Sequence, residues 1–193
     1  MIKAVIFDFF GVIADDGWLP FKSKYFGNDP SKMDEATRHN RLSDSGAETY
    51  EQFIAKVAAM ANISEAQAKR EVESNPVNLR VIDYIATQLR PHYKIGLLSN
   101  TAKNWFEEIL LPEQVKLFDQ VSLSFQTGFV KPDSRSYREI TNKLSIQPHE
   151  GIFIDDQSRY ADAANDCGMR GITYKDFDTM REELNKILAD SNN

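Results

Sequence analysis

Residues 2–16 read I-K-A-V-I-F-D-F-F-G-V-I-A-D-D. Ala4, Val5, Ile6 and Phe7 make a short run rich in β-branched and aromatic side chains, ended by Asp8 and followed by Gly11. Such a run predicts a strand buried on both faces. A carboxylate at the carboxyl end of a buried strand adds nothing to packing, and in an open α/β sheet that end is where ligands bind. Asp8 is therefore a candidate for chemistry. The alternative is an acidic residue opening a turn before glycine, and the rest of the chain decides between the two.

The chain has 193 residues, 41% of them hydrophobic and 27% charged, which suits one globular domain or one domain with a modest insert. Its formal net charge is −6 and it carries no basic cluster, which argues against a nucleic-acid partner and against attraction to anionic lipid. No apolar run is long enough to span a bilayer, and the start lacks the pattern of a secretory signal. The single cysteine, Cys167, has no internal partner, so a reducing, cytoplasmic setting is expected.

After the first strand, residues 18–27 show no clear period and read as a loop. Asp29 and Pro30 are placed as N-cap and first helical residue of a polar helix over 31–42. Ser45 to Glu48 fits a capping box ahead of a helix burying Tyr50, Phe53, Ile54, Val57, Ala58 and Ala61, and Ser64 to Gln67 fits a second one. A further helix shows Leu79, Ile82, Ile85, Ala86 and Leu89 on one face and stops before Pro91. Alternation then sets in: strands over 94–99, 120–124, 151–155 and 171–174, helices over 104–110, 134–144 and 160–167, and a last helix opened by Asp178, with a frayed tail over 190–193. The pattern predicts an α/β fold, a doubly wound, Rossmann-like parallel sheet of about five strands. Residues 1–14 and 78–193 form its core, and 15–77 form an inserted, all-helical cap.

Three strand ends present polar groups: Asp8, Ser99 with Asn100, and Asp155 with Asp156. In a parallel sheet these share one edge, and Lys131, in V-K-P-D, can reach it after the third strand. Crowded carboxylates repel unless a cation sits between them, and a set of oxygen ligands suits Mg²⁺. A hydroxyl, an amide and an ammonium beside a metal would cradle phosphate, and the chemistry implied is phosphoryl transfer to a carboxylate.

Four segments carry a resemblance: D-F-F-G-V from Asp8, L-S-N-T from Leu98, V-K-P-D from Val130 and I-D-D from Ile154, with Gly168-Met169 closing the last and Gly46 and Phe53 in the insert. In that order the chain resembles the haloacid dehalogenase-like hydrolase superfamily, in the branch with a small helical cap. The resemblance implies a Mg²⁺-dependent phosphatase of a small phosphorylated metabolite. Asp8 would be the nucleophile that forms an aspartyl-phosphate. Ser99 and the backbone at Asn100 would hold phosphoryl oxygens, and Lys131 would hold nucleophile and phosphate together. Asp156, Asp8 and the Phe10 carbonyl would bind the metal, with Asp155 beside it.

The chain departs from that pattern at two places. Phe10 stands where the phosphatases usually carry an acid–base Asp, and Arg159-Tyr160 where another Asp or Asn is usual. Asp15 or Asp16 are candidate substitutes for the acid; the bland reading makes both solvated linker residues. Arg38 and Arg41 either meet an anionic substrate or line a solvated helix face, and Trp18 and Trp105 either line the crevice or pack. His39, His92 and His149 lie near no motif, and Cys167 reads as a small core residue. Two alternatives stand beside the phosphatase: a haloacid dehalogenase, which uses an aromatic residue at the Phe10 position but no metal, and a catalytically degenerate binding protein.

Overall fold

The computed structural model describes residues 1–191. Five parallel strands, β1 (Ala4–Phe7), β2 (Lys94–Ser99), β3 (Gln120–Leu123), β4 (Gly151–Asp155) and β5 (Arg170–Thr173), form one sheet in the order β3-β2-β1-β4-β5. β1 sits in the middle: Ala4 pairs with Lys94 on one side and Gly151 on the other. Its four residues are wholly buried, as expected of a parallel strand covered on both faces. The side chains sort by alternation. Val5, Phe7, Ile95, Leu97, Ile152 and Ile154 join one apolar cluster, and Ala4, Ile6, Leu98 and Phe153 join the other.

Helices cover both faces. α9 (Ser134–Leu144) and α10 (Ser158–Asp166) lie against the smaller cluster through Tyr137, Ile140, Leu144 and Ala164, and α11 (Phe177–Ser191) against the larger through Met180, Leu184 and Leu188. α6 (Trp105–Ile109), α7 (Pro112–Val115) and α8 (Ser124–Thr127) are short connectors. A doubly wound α/β sheet is therefore the fold. Among the described residues no helix is long and apolar enough to cross a membrane.

Between β1 and β2 the chain makes α1 (Trp18–Phe26), α2 (Pro30–Asp44), α3 (Tyr50–Ala61), α4 (Glu65–Val72) and α5 (Leu79–Tyr84), the last running on as a wider turn over Ile85–Leu89. The way out and the way back lie side by side. Asp15 N–H donates to Pro76 O at 2.9 Å, Asn78 N–H donates to Ile13 O at 2.8 Å, and Ala14 bridges Val77 antiparallel.

Several local expectations need correction. Residues 18–26 are a helix, not a loop. Its N-cap position is Gly17, which has no side chain to cap with, so the start signal falls to Asp16 one residue earlier; burial of Phe21 and Phe26 holds the helix. Ser45 caps the end of α2, and the capping box of α3 is Thr49 with Gln52. Glu48, which completed the expected pattern, pairs with His39 at 2.9 Å and with Lys56 at 2.7 Å. On α5 the inward residues are Val81, Ile82 and Tyr84, while Leu79 is 65% exposed; Ala86 is exposed too. β5 starts one residue early, at Arg170. α11 holds Asp190 and Ser191 in its last turn, so those two are helical, and the end of the expected frayed tail lies outside the described residues. The expected cap of α2 is present: Asp29 accepts from Lys32 N–H at 3.1 Å. The expected inward face of α9 is present as well.

Candidate active site

Asp8 follows β1 directly, its N–H extending the ladder to Ile154 O at 2.8 Å. Its Oδ1 accepts from Phe9 N–H at 2.7 Å and faces Lys131 Nζ at 2.9 Å. Among the described residues no hydrogen bond falls on Oδ2. Lys131 is fully buried, and its Nζ also meets Asp155 Oδ2 at 2.6 Å. The rings of Phe153 and Tyr160 stand 5.1 Å from that ammonium, which adds cation–π attraction. Burial works against the charge on Lys131, but Asp155 and Asp8 overcome it and raise the pKa.

Asn100 builds this arrangement rather than facing outward alone. Its Oδ1 accepts from Lys131 N–H at 2.8 Å, and its Nδ2 donates to Lys131 O at 3.1 Å. The amide thus clamps the backbone that presents the lysine. Asp155 has both oxygens engaged, one by Lys131 and one by Gln157 N–H at 2.9 Å. Asp156 differs: its Oδ1 is buried with no partner among the described residues. Asp8, Asp155 and Asp156 each offer an oxygen within 4.8 Å of the others. Burial, then the charge of Asp155, pushes Asp156 up to about 6. Burial likewise holds Asp8 well above the carboxylate range, with Lys131 pulling against it.

Three carboxylates against one ammonium leave two negative charges when all are ionised. Buried charge of that size is costly unless balanced. The turn after Asp8 is shaped for the same spot. Gly11 has φ +81°, and a Cβ there would lie 2.6 Å from Asp156 Cγ, so only glycine lets the turn close on that carboxylate. An orphaned buried oxygen, an all-oxygen donor set and an excess of two negative charges fit a hard divalent cation.

Above the sheet edge lies a cavity of about 340 Å³. Its wall includes Asp8, Phe10, Asn100 and Lys131 from the core, and Asp16, Trp18, Asn40, Arg41, Asp44 and Tyr50 from the helical insert. Ser99 is buried and set back from the wall, its hydroxyl only 3.5 Å from Asn100 O. Asp15 is exposed and outside the cavity, but Asp16 is not a solvated linker residue. It is half-buried, accepts from Trp18 N–H at 2.8 Å, and has its pKa raised by burial. Arg41 and both tryptophans reach the cavity wall, with Trp105 packed edge-on to Phe10 at 6.4 Å and to Tyr50 at 5.1 Å. Arg38 stays on the exposed face beside His39.

The sequence reading missed Asp44 and Gln157, and marked Tyr160 only as a departure from the family pattern. Tyr160 OH accepts from Arg159 at 2.8 Å and stands 3.4 Å from Asn100 Nδ2, so the Arg159-Tyr160 departure fills the site with an aromatic lid over Lys131. Its signal lay in the sequence, as an aromatic residue in the first turn after Asp155-Asp156. Asp44 gave none, because it ends a polar helix just before Gly46 and nothing local sets it apart from the other charged residues of that helix.

The family profile described as haloacid dehalogenase-like hydrolase matches residues 5–174. The chain is 26% identical over 187 residues to bifunctional epoxide hydrolase 2 of Sus scrofa, covering 93% of this chain but only 29% of that protein. It is 25% identical over 205 residues to the D-ribitol-5-phosphate phosphatase of Bacteroides thetaiotaomicron, covering 97% of this chain and 99% of that one. A HAD family enzyme of the same organism, solved in complex with magnesium and inorganic phosphate, superposes with a TM-score of 0.70 at 24% identity, over 91% of this chain and 95% of that one.

Proposed function

The chain belongs to the haloacid dehalogenase-like hydrolases, and from that premise we propose that it is a Mg²⁺-dependent phosphatase of a small phosphorylated metabolite. One observation carries the reading: Asp8, Asp155 and Asp156 offer oxygens within 4.8 Å of one another, a buried lysine pairs with the first two, and Asp8 and that lysine line a cavity. The likeness to a D-ribitol-5-phosphate phosphatase over nearly the whole of both chains supports it, and a cavity of about 340 Å³ suits a small polar ligand.

In this reading Asp8 Oδ2 attacks phosphorus, while Oδ1 stays fixed by Phe9 N–H and Lys131. Holding the nucleophile by its other oxygen presets the line of attack, the positional advantage that intramolecular reactions show. Lys131 balances the charge of Asp8 and of the incoming phosphoryl group. Its own place is set by the Asn100 clamp and the Asp155 pair. Ser99 and the backbone at Asn100 are proposed to meet the phosphoryl oxygens. Asp8, Asp156 and the Phe10 carbonyl would hold Mg²⁺, with Asp155 beside it. When bound, the ion would supply Lewis-acid stabilisation of the transferring phosphoryl group. The insert over 15–77 is proposed to act as a cap that keeps water out and chooses the substrate. A cytoplasmic setting, and the lack of a nucleic-acid or membrane partner, belong to the same proposal.

The test is a panel of phosphate monoesters, sugar and polyol phosphates with one activated aryl phosphate, assayed with and without Mg²⁺. Turnover is expected only with Mg²⁺, and Asp8→Asn should remove it while leaving the melting transition in place. A wild-type protein inert on every ester, or an Asp8→Asn variant as active as wild type, would rule the reading out. Halide release from 2-halo acids without metal would favour the dehalogenase.

A further inference from the structure

We infer that Asp44, at the carboxyl end of α2, is the acid–base residue of this site, acting on the leaving and attacking oxygens from the wall that the insert contributes. The inference rests on the phosphatase reading. It starts from a chemical need. An alkoxide leaves poorly without a proton, and water attacks poorly without a base; a positioned group for either task is worth about 10²–10⁴-fold. Phe10 can do neither, and its ring is packed edge-on against Phe9 at 5.0 Å and Trp105 at 6.4 Å.

The other ionisable groups on the cavity wall are unsuited. Asp8 and Lys131 are paired with each other. The arginines keep their protons, and Lys22 is turned to Thr37 Oγ1 at 3.5 Å and to the Trp18 ring. Burial raises the phenols of Tyr50 and Tyr160 further above neutrality. Asp16 already accepts from its own helix start and stands beside Asp156. Asp44 is different. One oxygen, Oδ2, accepts from Asn40 Nδ2 at 2.9 Å, which leaves Oδ1 for a ligand in the cavity.

Asp44 is also tied to the core. Ser124 Oγ, at the end of β3, donates to the Asp44 carbonyl and accepts from Thr101 N–H at 2.8 Å. The end of α2 is thereby fastened to the loop that carries Asn100. Gly46 completes the contact: at φ +76°, its Cβ position is 3.1 Å from Phe125 O. The carboxyl group thus has a fixed position relative to the Asn100–Lys131 clamp.

Its protonation suits both tasks. Burial first, and then Asp16, push Asp44 up to about 7, against the pull of Lys131 and Asn40. The charged groups that share the cavity wall are Asp8, Asp16, Lys22, Arg41, Lys131 and Arg159. In the first step the Asp8–phosphorus bond forms, the bond from phosphorus to the leaving oxygen breaks, and the Asp44 proton passes to that oxygen. In the second, the Asp44 carboxylate takes a proton from water as its oxygen bonds to phosphorus. The bond to Asp8 then breaks, and phosphate leaves with Asp44 protonated again.

The experiment compares wild type, Asp44→Asn and Asp16→Asn, each with Mg²⁺, on an alkyl phosphate and on an activated aryl phosphate. Asp44→Asn should lose about 10²–10⁴-fold on the alkyl ester. On the aryl ester, whose leaving group needs no proton, it should give a burst followed by slow turnover, with a phosphate adduct in the intact mass of the quenched protein. Phe10→Asp placed in the Asp44→Asn background should restore alkyl-ester turnover. Asp44→Ser, read the same way, is the second variant if Asn is not accommodated. A wild type that is active while both Asp44 variants match its leaving-group dependence overturns the inference and leaves the phosphatase reading intact. The same loss in Asp16→Asn alone moves the role to Asp16 and overturns it equally. A wild type that never phosphorylates Asp8 removes the phosphatase reading, and this inference with it.

Discussion

Lys131 answers three carboxylates with one charge, and the imbalance has a signature in stability. In the folded, metal-free protein Asp156 titrates at about 6 and Asp44 at about 7, against 3.8 for an ordinary aspartate, in both cases mainly through burial. Between those values the native state binds more protons than the unfolded chain, so stability falls as pH rises. The metal-free melting temperature should therefore drop from about pH 4 to about pH 7. Mg²⁺ added at neutral pH should reverse the loss, by about 2.7 kcal/mol at a hundredfold excess over its dissociation constant. Asp156→Asn should reduce the slope, leaving the part due to Asp44, and remove the response to Mg²⁺. A metal-free melting temperature that is flat across this window would contradict the assignment. At this scale much was legible. Asp8, Asp155 and Asp156 stood out because a carboxylate ending a buried strand has no packing reason. Asp44 did not, and Asp16 was not separable from Asp15, because their surroundings exist only once α2 and α1 dock on the core.

The end of α2 is held by few atoms. Ser124→Ala would leave Thr101 N–H without its acceptor and the Asp44 carbonyl without its donor. The expected cost is roughly 1–3 kcal/mol for a buried group left unsatisfied. Alkyl-ester turnover should fall with it, because Asp44 is no longer fixed; calorimetry and the same ester assay check both. A Ser124→Ala protein with unchanged melting and turnover would show that the contact positions nothing. The elements themselves were readable to the extent that local chemistry decided them. α9 was read correctly from its inward face and α2 from Asp29-Pro30. α1 was not, since neither a cap nor a polar stripe marks W-L-P-F-K-S-K-Y-F and only tertiary burial makes it helical. The false capping box at Ser45 has the same cause: Glu48 is claimed by His39 and Lys56 from neighbouring helices.

For the molecule as a whole, alternation of strand and helix was enough to predict a parallel sheet with its polar strand ends on one edge. Strand order was not legible, because nothing in the composition of β1 says which strands it will pair with. The observed order, with β1 between β2 and β4, has a consequence for how the protein is made. Ala4 finds its partners at Lys94 and Gly151, 90 and 147 positions later (94 − 4 and 151 − 4). Contacts that distant form slowly, since loop closure must come first. During synthesis Ala4–Phe7 therefore waits, apolar and unpaired, until β2 is made, and its other edge stays open until β4 follows. Translation products ended before β4 should sediment as aggregates unless a chaperone is supplied, and those ended after α11 should not; a soluble, monomeric short product would refute this. The strand that leads into Asp8 is thus closed on both sides only when β4 arrives, and until then the nascent chain depends on protection of that open edge.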